Sequence, residues 1–140
     1  MGFVDLPTLE RRIHELVNGE RVVNNLEVLE FDDDLANVAR DHSQDMATRL
    51  FLSHDSPEGV NAFQRGAAKG VTVYAENIAQ DGTRDGDWNA MENIAISVVG
   101  GWMNSEGHRM NILTFSLKKE GIGVAQVLGG DILMVTQDFA

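Results

Sequence analysis

The sequence contains no cysteine, and this absence excludes several kinds of chemistry. Disulfide bridges, thiolate nucleophiles and cysteine-based zinc sites cannot form. Lysine is scarce, occurring only as Lys69, Lys118 and Lys119, whereas Asp and Glu together number 22. The formal net charge of −11 repels phosphate backbones and anionic lipid surfaces. We therefore expect neither nucleic acid nor an anionic membrane as a partner.

Long apolar runs are also missing. No stretch approaches the ~18 residues of a membrane span, and residues 1–10 lack the cationic and apolar regions of a signal peptide. The composition is that of an ordinary globular protein, with 43% hydrophobic residues in a chain of 140. These features predict a single domain over residues 1–140 with no transmembrane segment. The excess of acidic residues also suits a protein that is kept soluble in high salt, so a halophilic origin is a further hypothesis.

Hydrophobic periodicity predicts two long helices in the first half of the chain. The first ends at Gly19 and places His14 on its solvated outer face. The second is capped by one of the aspartates at 32–34 and runs to about Leu50. His42 falls on the buried side of this second helix, where a histidine satisfied by a hydrogen bond in the core is expected.

The second half of the chain changes from helical to extended patterns. We expect, in order, a short helix at 60–69, a β-prone segment at 71–74 that residues 75–79 either continue or turn from, and a surface loop at 80–87. A helix from 88 or 90 to about 104, a helical turn at 108–113, and strands at 121–127 and 132–139 follow. Helices come first and a hairpin comes last. This order is typical of an α+β domain in which helices pack on an antiparallel sheet.

Three fragments supply polar side chains that suit a functional site. His54 follows the second helix, Glu76 lies in the extended segment, and His108 follows a run of small and polar residues. Two imidazoles and a carboxylate are suitable ligands for a borderline cation such as zinc. Without a metal, Glu76 could act as a base and a histidine as an acid. No local zinc spacing such as His-Glu-x-x-His occurs, so a polar cleft without metal is equally open.

An ordered set of motifs resembles the CAP superfamily, also called SCP-like domains, which includes cysteine-rich secretory proteins, insect antigen 5 and plant pathogenesis-related 1 proteins. The motifs occupy residues 35–47, 51–57, 75–79, 102–109, 121–125 and 137–139. The similarity extends over about residues 10–139 and is greatest to the cysteine-free prokaryotic branch. It implies an α-β-α sandwich with a central antiparallel sheet flanked by helices, and an extracellular or cell-surface location.

The resemblance also implies a cleft that contains two histidines and two acidic residues. By motif, His54, Glu76 and His108 match three of these positions. The fourth position is open. Ser105 matches it as in many prokaryotic relatives, whereas Glu106 is the only acidic candidate nearby.

Three functions are compatible with such a cleft. We favour a non-enzymatic extracellular module that binds an unidentified small ligand or partner, with Zn²⁺ or another divalent cation as its cofactor. A metal-assisted hydrolase acting on peptide or cell-envelope material would use His54, Glu76 and His108 as catalytic residues. It lacks an evident nucleophile, because no Gly-x-Ser-x-Gly motif is present. The third possibility is a non-catalytic scaffold in which the same residues hold the walls of the cleft together.

Overall fold

The computed structural model describes residues 5–82, 88–129 and 131–140. The elements, in chain order, are α1 (Leu6–Val23), β1 (Glu30–Phe31), α2 (Asp33–Arg49), α3 (Ala62–Ala67), β2 (Ala75–Gly82), α4 (Trp88–Met103), α5 (Glu106–Ile112), β3 (Lys119–Gln126) and β4 (Ile132–Phe139). No described helix has both the length and the apolar character needed to cross a membrane.

The strands form one four-stranded sheet in the order β1–β3–β4–β2. β3 and β4 make an antiparallel hairpin, and β2 pairs antiparallel with the other side of β4. The predicted antiparallel sheet is therefore confirmed. The structure adds a short parallel strand, β1, beside β3. β1 contains only two residues, too few for a hydrophobic pattern to predict it.

Helices cover both faces of the sheet, so the predicted α-β-α sandwich is confirmed. α2 packs on β3 and β4 from one side, with α3 beside it. α1, α4 and α5 lie on the other side, where their apolar side chains and those of the sheet form the largest core cluster. Its central members include Leu9, Ile13, Ile94, Trp102, Ile112, Ile122, Val135 and Phe139.

Two predictions about α1 are wrong because tertiary contacts override the local pattern. The helix continues past Gly19 to Val23. Its last turn is held by Arg21, which is 1% exposed and donates to the backbone carbonyls of Ile112 and Thr114. His14 is not solvated, because its Nδ1 lies 2.6 Å from Oε2 of the wholly buried Glu120.

α2 follows its sequence signals at both ends. The side chain of Asp32 accepts a hydrogen bond from the backbone N–H of Leu35 at 2.8 Å and so caps the first turn. His42 is 1% exposed and Nε2 lies 2.8 Å from the Ser53 carbonyl oxygen, as expected of a core histidine. The helix ends at Arg49, and Leu50 adopts a left-handed conformation that leaves it 69% exposed. The helical spacing of apolar residues along α2 predicts that Leu50 lies on the buried face, and this prediction is wrong.

Residues 71–74, predicted to be β-prone, are not in a strand, whereas residues 75–79, for which the sequence leaves both continuation and a turn open, belong to β2. β2 starts at Ala75, and residues 80–82, predicted as loop, are paired with β4. The start and length of β2 depend on its partner strand, which its own β-propensity does not reveal. Residues 83–87 of the predicted loop lie outside the described part of the chain.

Candidate functional site

The site lies at β2, an edge strand of the sheet, which carries Glu76 near its start. The Glu76 side chain is only 3% exposed, and Oε1 lies 2.9 Å from Nδ1 of His54. His54 belongs to the loop that follows α2, and its side chain is 52% exposed. The structure therefore brings these two predicted residues together, with a buried carboxylate beneath an accessible imidazole.

Arg65 of α3 holds both residues in place. Both Nη atoms lie 3.1 Å from the Glu76 carboxylate, and Nη2 also donates to the His54 carbonyl oxygen at 2.6 Å. This forked contact fixes the carboxylate and the backbone of the histidine at once. The sequence predicts only that Arg65 pairs with some carboxylate, because the docking of α3 is a tertiary feature.

Asp138 is a member of the site that the sequence does not predict. It is wholly buried and lies directly opposite Glu76 in the β2–β4 register. Burial, and then the adjacent Glu76 carboxyl, raise the pKa of Asp138 well above its usual value. No conventional donor among the described residues reaches its oxygens. Asp138 therefore releases its proton at a higher pH than a solvent-exposed aspartate does.

Glu76 is subject to opposing influences. Burial raises its pKa, whereas the neighbouring Asp138 carboxyl and the positive charge of Arg65 act to lower it. The net direction is upward. The forked contact with Arg65 favours the negative charge on Glu76 rather than on Asp138, which has no such ion pair among the described residues.

His108 belongs to α5, which packs against β2. Its Nδ1 lies 2.7 Å from Oγ of Ser105, the residue that precedes the helix. Burial, and then the charge of His54, lower the pKa of His108, so the two imidazoles are close enough to influence each other. Glu106 is exposed in the first turn of α5, where a carboxylate suits the positive end of a helix. The side chain that hydrogen-bonds to the His108 ring is therefore that of Ser105 and not that of Glu106.

A chain of buried amides fixes the position of α5. Asn77 is wholly buried and donates to the carbonyl oxygen of His108 at 3.2 Å and to Oε1 of Gln137 at 2.9 Å. Asn111 donates to Oδ1 of Asn77 at 2.9 Å and to the carbonyl oxygen of Glu76 at 3.2 Å. The backbone that carries His108 is therefore tied to the same strand as Glu76.

Trp102 completes this support. It is 2% exposed, as expected of a core residue, and Nε1 donates to the carbonyl oxygen of Ile78 at 3.0 Å. Together with the bond from Asn111 to Glu76, this contact satisfies outward-facing carbonyls of the edge strand. Such contacts occupy an edge that could otherwise pair with another chain.

The predicted ligands do not form a compact three-ligand centre in this arrangement. Across residues 5–82, 88–129 and 131–140, no three His, Asp or Glu side chains are placed so as to hold a metal ion. The Glu76 carboxylate is already engaged by His54 and Arg65. The Nε2 atoms of His54 and His108, by contrast, make no hydrogen bond to any described group. These two imidazole nitrogens are therefore available to bind a ligand.

Comparison with known families identifies the fold and these motifs. The model of the cysteine-rich secretory protein family, CAP, matches residues 14–139. This chain belongs to the CAP family. The predicted resemblance is confirmed, including its similarity to prokaryotic members that contain an SCP domain.

Two relatives of this CAP domain are proteins of Bacillus subtilis (strain 168). The uncharacterized protein YkwD is 34% identical over 119 residues, which cover 84% of this chain and 42% of YkwD. The uncharacterized membrane protein YlbC is 35% identical over 119 residues and is covered to 32%. The chain thus spans less than half the length of either relative.

Solved structures show the same architecture. An extracellular protein from Bacillus anthracis str. Ames that contains an SCP domain is 30% identical with a TM-score of 0.73, over 96% of this chain and 40% of that one. An outer surface protein from Borrelia burgdorferi is 20% identical and has a TM-score of 0.75. The match covers 99% of this chain and 98% of the Borrelia chain. The second likeness is one of fold alone.

Proposed function

We propose that this CAP domain is a non-enzymatic extracellular binding module whose cleft takes a divalent cation, such as Zn²⁺, together with a small ligand. The extracellular placement is supported by the Bacillus anthracis relative, which is described as extracellular and is 30% identical. The observation that carries the binding function is the orientation of the two imidazoles. Nδ1 of His54 and of His108 is held by a neighbour, and Nε2 of each ring is left available.

The His54 ring is oriented as a metal-binding imidazole often is. A carboxylate only accepts hydrogen bonds, so Nδ1–H of His54 donates to Glu76 across 2.9 Å. The neutral ring then presents the lone pair of Nε2. Histidines that bind metals commonly donate their other ring N–H to a carboxylate in this way. Glu76, with Arg65 beside it, is best suited to orient His54 rather than to contact the cation itself.

A cation would be held by Nε2 of His54 and of His108, with water or ligand oxygens at its other positions. It would supply Lewis-acid attraction for an oxygen atom of the ligand. Zinc is a suitable first choice because imidazole nitrogen is a preferred ligand of this ion. One solved structure of the same fold, NaASP2, contains Zn²⁺, although at 14% identity and a TM-score of 0.66 that likeness concerns the fold only.

Isothermal titration calorimetry with Zn²⁺ tests the proposal. We expect one binding site in the wild-type protein, and at least a tenfold loss of affinity in both His54→Ala and His108→Ala. The control is His14→Gln, which removes a histidine on α1 that lies outside the cleft and should leave the affinity unchanged. An absence of zinc uptake, or uptake that neither cleft variant weakens, would contradict the proposed cation site.

The role of Glu76 can be separated from that of the histidines. If Glu76 orients His54 without touching the cation, Glu76→Gln should weaken zinc binding by about 10–100-fold while one site per chain is retained. Circular dichroism must first show that the variant is folded. An unchanged affinity in the folded variant would show that the contact between His54 and Glu76 has no part in binding.

A scaffold function is the second candidate, and the connectivity of Glu76 favours it. This residue contacts His54 in the loop after α2, Arg65 on α3, Asp138 on β4 and Asn111 on α5. If the network serves only to join these elements, Glu76→Gln lowers the free energy of unfolding although no added cation stabilises the wild type. Thermal denaturation with and without Zn²⁺ distinguishes the two functions.

One contact favours the hydrolase alternative. Ser105 Oγ lies 2.7 Å from Nδ1 of His108, which is within reach for a hydroxyl nucleophile and its base. Within the described residues, however, no acidic side chain bonds to the far nitrogen of His108 to complete a triad. A hydrolase would cleave members of a peptide library and lose this turnover in Ser105→Ala; we expect no turnover by the wild type.

A further inference from the structure

A row of buried polar side chains crosses the sheet on the side of α1, α4 and α5. Its members are Glu120 on β3, Gln137 on β4 and Asn77 on β2, and each is wholly buried. They share a face with the apolar residues of the largest core cluster, because side chains two apart on a strand point the same way. Polar groups in such a place are costly unless each is hydrogen-bonded, so the partners of every member matter.

The hydrogen bonds along this row have a direction, and Glu120 sets it. A carboxylate accepts hydrogen bonds and does not donate them. Nε2 of Gln137 donates to Oε1 of Glu120 at 2.6 Å, while Oε2 of Glu120 lies 2.6 Å from Nδ1 of His14. Because the amino group of Gln137 faces β3, its side-chain oxygen faces β2, where it accepts from Nδ2 of Asn77 at 2.9 Å.

The direction of these bonds decides what Asn77 can hold. Its Nδ2 also donates to the carbonyl oxygen of His108 at 3.2 Å, and its Oδ1 accepts from Nδ2 of Asn111 at 2.9 Å. If the bonds ran the other way, Gln137 would present its amino group to Asn77, and the amide of Asn77 would have to reverse as well. Oδ1 of Asn77 would then face the His108 carbonyl oxygen with no proton between them, and α5 would lose this bond.

α5 depends on contacts of this kind because it is short. It contains seven residues, whereas isolated helices of fewer than ~12–15 residues are marginal in water. Ser105 precedes the helix, but its side chain does not cap the first turn. Its Oγ lies instead 2.7 Å from Nδ1 of His108. Bonds from other elements must therefore hold the backbone that carries His108.

We propose that Glu120 is a positioning residue for His108, which it reaches through Gln137 and Asn77 although β4 separates β3 from β2. Its carboxylate fixes the direction of the two amides, and the amides hold the backbone of α5 at the cleft. The effect on α5 is a property of the folded chain by itself. The effect on cation affinity rests on the proposed function of the cleft.

An isosteric substitution, Glu120→Gln, tests the direction of the bonds. The single side-chain oxygen of this variant is taken by Nδ1–H of His14, because the other ring nitrogen faces Nδ2 of Asn18 at 3.4 Å and is kept as an acceptor. The amino group at position 120 then faces Gln137 and reverses the bonds. We expect the backbone amides of α5 to exchange their hydrogens about tenfold faster, relative to those of β3, in nuclear magnetic resonance measurements with a metal chelator present.

The double variant Glu120→Gln with Gln137→Glu is the matched rescue. It moves the carboxylate from β3 to β4 and leaves the composition of the row unchanged. The amino group at position 120 donates to the new carboxylate, whose second oxygen accepts from Asn77, so the Asn77 amide points as it does in the wild type. Exchange in α5 should return to the wild-type rate. Unchanged exchange in the single variant, or equally fast exchange in the double variant, would overturn the proposal.

Ser43→Ala is the control, because it removes a buried polar group on the α2 side of the sheet. Ser43 donates to the carbonyl oxygen of Gly123 at 2.8 Å. Its loss should leave α5 exchange, relative to β3, unchanged, and an equal rise in this variant would count against the proposal. If Glu120→Gln does not fold, the coupling across the hydrogen bond from Nε2 of Gln137 to the carboxyl carbon of Glu120 measures the direction in the wild type. Absence of that coupling would refute the direction.

Calorimetry with Zn²⁺ connects the position of His108 to the cleft. The affinity should fall about tenfold in Glu120→Gln and recover in the double variant. If the wild type takes up no zinc while α5 exchange changes as expected, the cation site is contradicted and the positioning role of Glu120 stands. If the wild type binds zinc and Glu120→Gln binds it equally well, Glu120 does not position His108.

Discussion

At the level of single residues, the buried carboxyl pair of Glu76 and Asp138 controls the charge beneath the cleft. The two residues lie opposite each other on β2 and β4, and only Glu76 has a cationic partner, Arg65. Burial raises the pKa of both carboxyls, and Arg65 counteracts this rise most directly at Glu76. Neither residue is unusual in the sequence. Their relation depends on the register of two strands about sixty residues apart in the chain.

This pairing predicts the pH dependence of Asp138→Asn. An unfolded aspartate releases its proton near pH ~4, whereas folded Asp138 releases it only at a higher pH. The folded state therefore binds more protons than the unfolded state between these two values. For this reason the free energy of unfolding of the wild type falls as the pH rises through this range. Asparagine does not titrate. The free energy of unfolding of the variant, relative to wild type, should therefore increase with pH, by up to about 1.4 kcal/mol per pH unit in that range. Urea unfolding at several values between pH 4 and 8 measures this difference.

The control for this prediction is Asp34→Asn, which removes an exposed carboxyl from the first turn of α2. The free energy of unfolding of Asp34→Asn, relative to wild type, should not increase as the pH rises. Parallel stability profiles for Asp138→Asn and wild type would show that Asp138 is ionised in the folded protein.

At the level of elements, the contact between α2 and β3 depends on glycine. A Cβ added at Gly123 would lie 2.1 Å from the backbone nitrogen of Arg40, and one at Gly121 would lie 2.0 Å from that of Ala36. Backbone atoms cannot move aside as flexible side chains can. The glycines at 100 and 101 in α4 differ, because a Cβ at either position would meet no described atom of another element within 4 Å. Two adjacent glycines near the end of a helix are explained either by close packing against a neighbouring element or by tolerated strain, and close packing is wrong for this pair.

Two glycine substitutions should change the free energy of unfolding in opposite directions. Gly123→Ala is expected to lower the free energy of unfolding by more than about 3 kcal/mol, or to prevent folding, because helix and strand must separate. Gly100→Ala, the matched control in α4, should raise it by about 0.5–1 kcal/mol through helix propensity. Denaturant unfolding measures both. A Gly123→Ala variant as stable as wild type would refute the close approach of α2 to β3.

At the level of the whole molecule, the dominant property is a net charge of −11. Several arginines form buried or forked ion pairs, such as Arg40 with Glu10 and Arg65 with Glu76. The unpaired excess of carboxylates remains. Like charges on a folded surface repel one another and destabilise the compact state.

Salt should therefore stabilise the domain. Raising NaCl from 0.1 M to 1 M shortens the screening length from about 10 Å to about 3 Å, and we expect Tm to rise by roughly 3–6 °C at pH 7. Calorimetry provides the measurement, and the rise should largely vanish near the sequence pI of about 4.6. A further increase at 3 M would support the halophilic hypothesis, whereas an unchanged Tm at 1 M would show that charge repulsion is minor.

The amino-acid sequence by itself determines the family, the order of helices and strands, the capped start of α2, and the proximity of His54 and Glu76. These features follow from local patterns and from uncommon residue types in a fixed order. The tertiary structure alone decides that Arg65 clamps Glu76, that burial raises the pKa of Asp138, and that His14 pairs with a buried glutamate. The reason is physical. Burial, strand register and helix docking join residues distant in the chain, and only these long-range contacts decide a side chain's charge and hydrogen-bond partners.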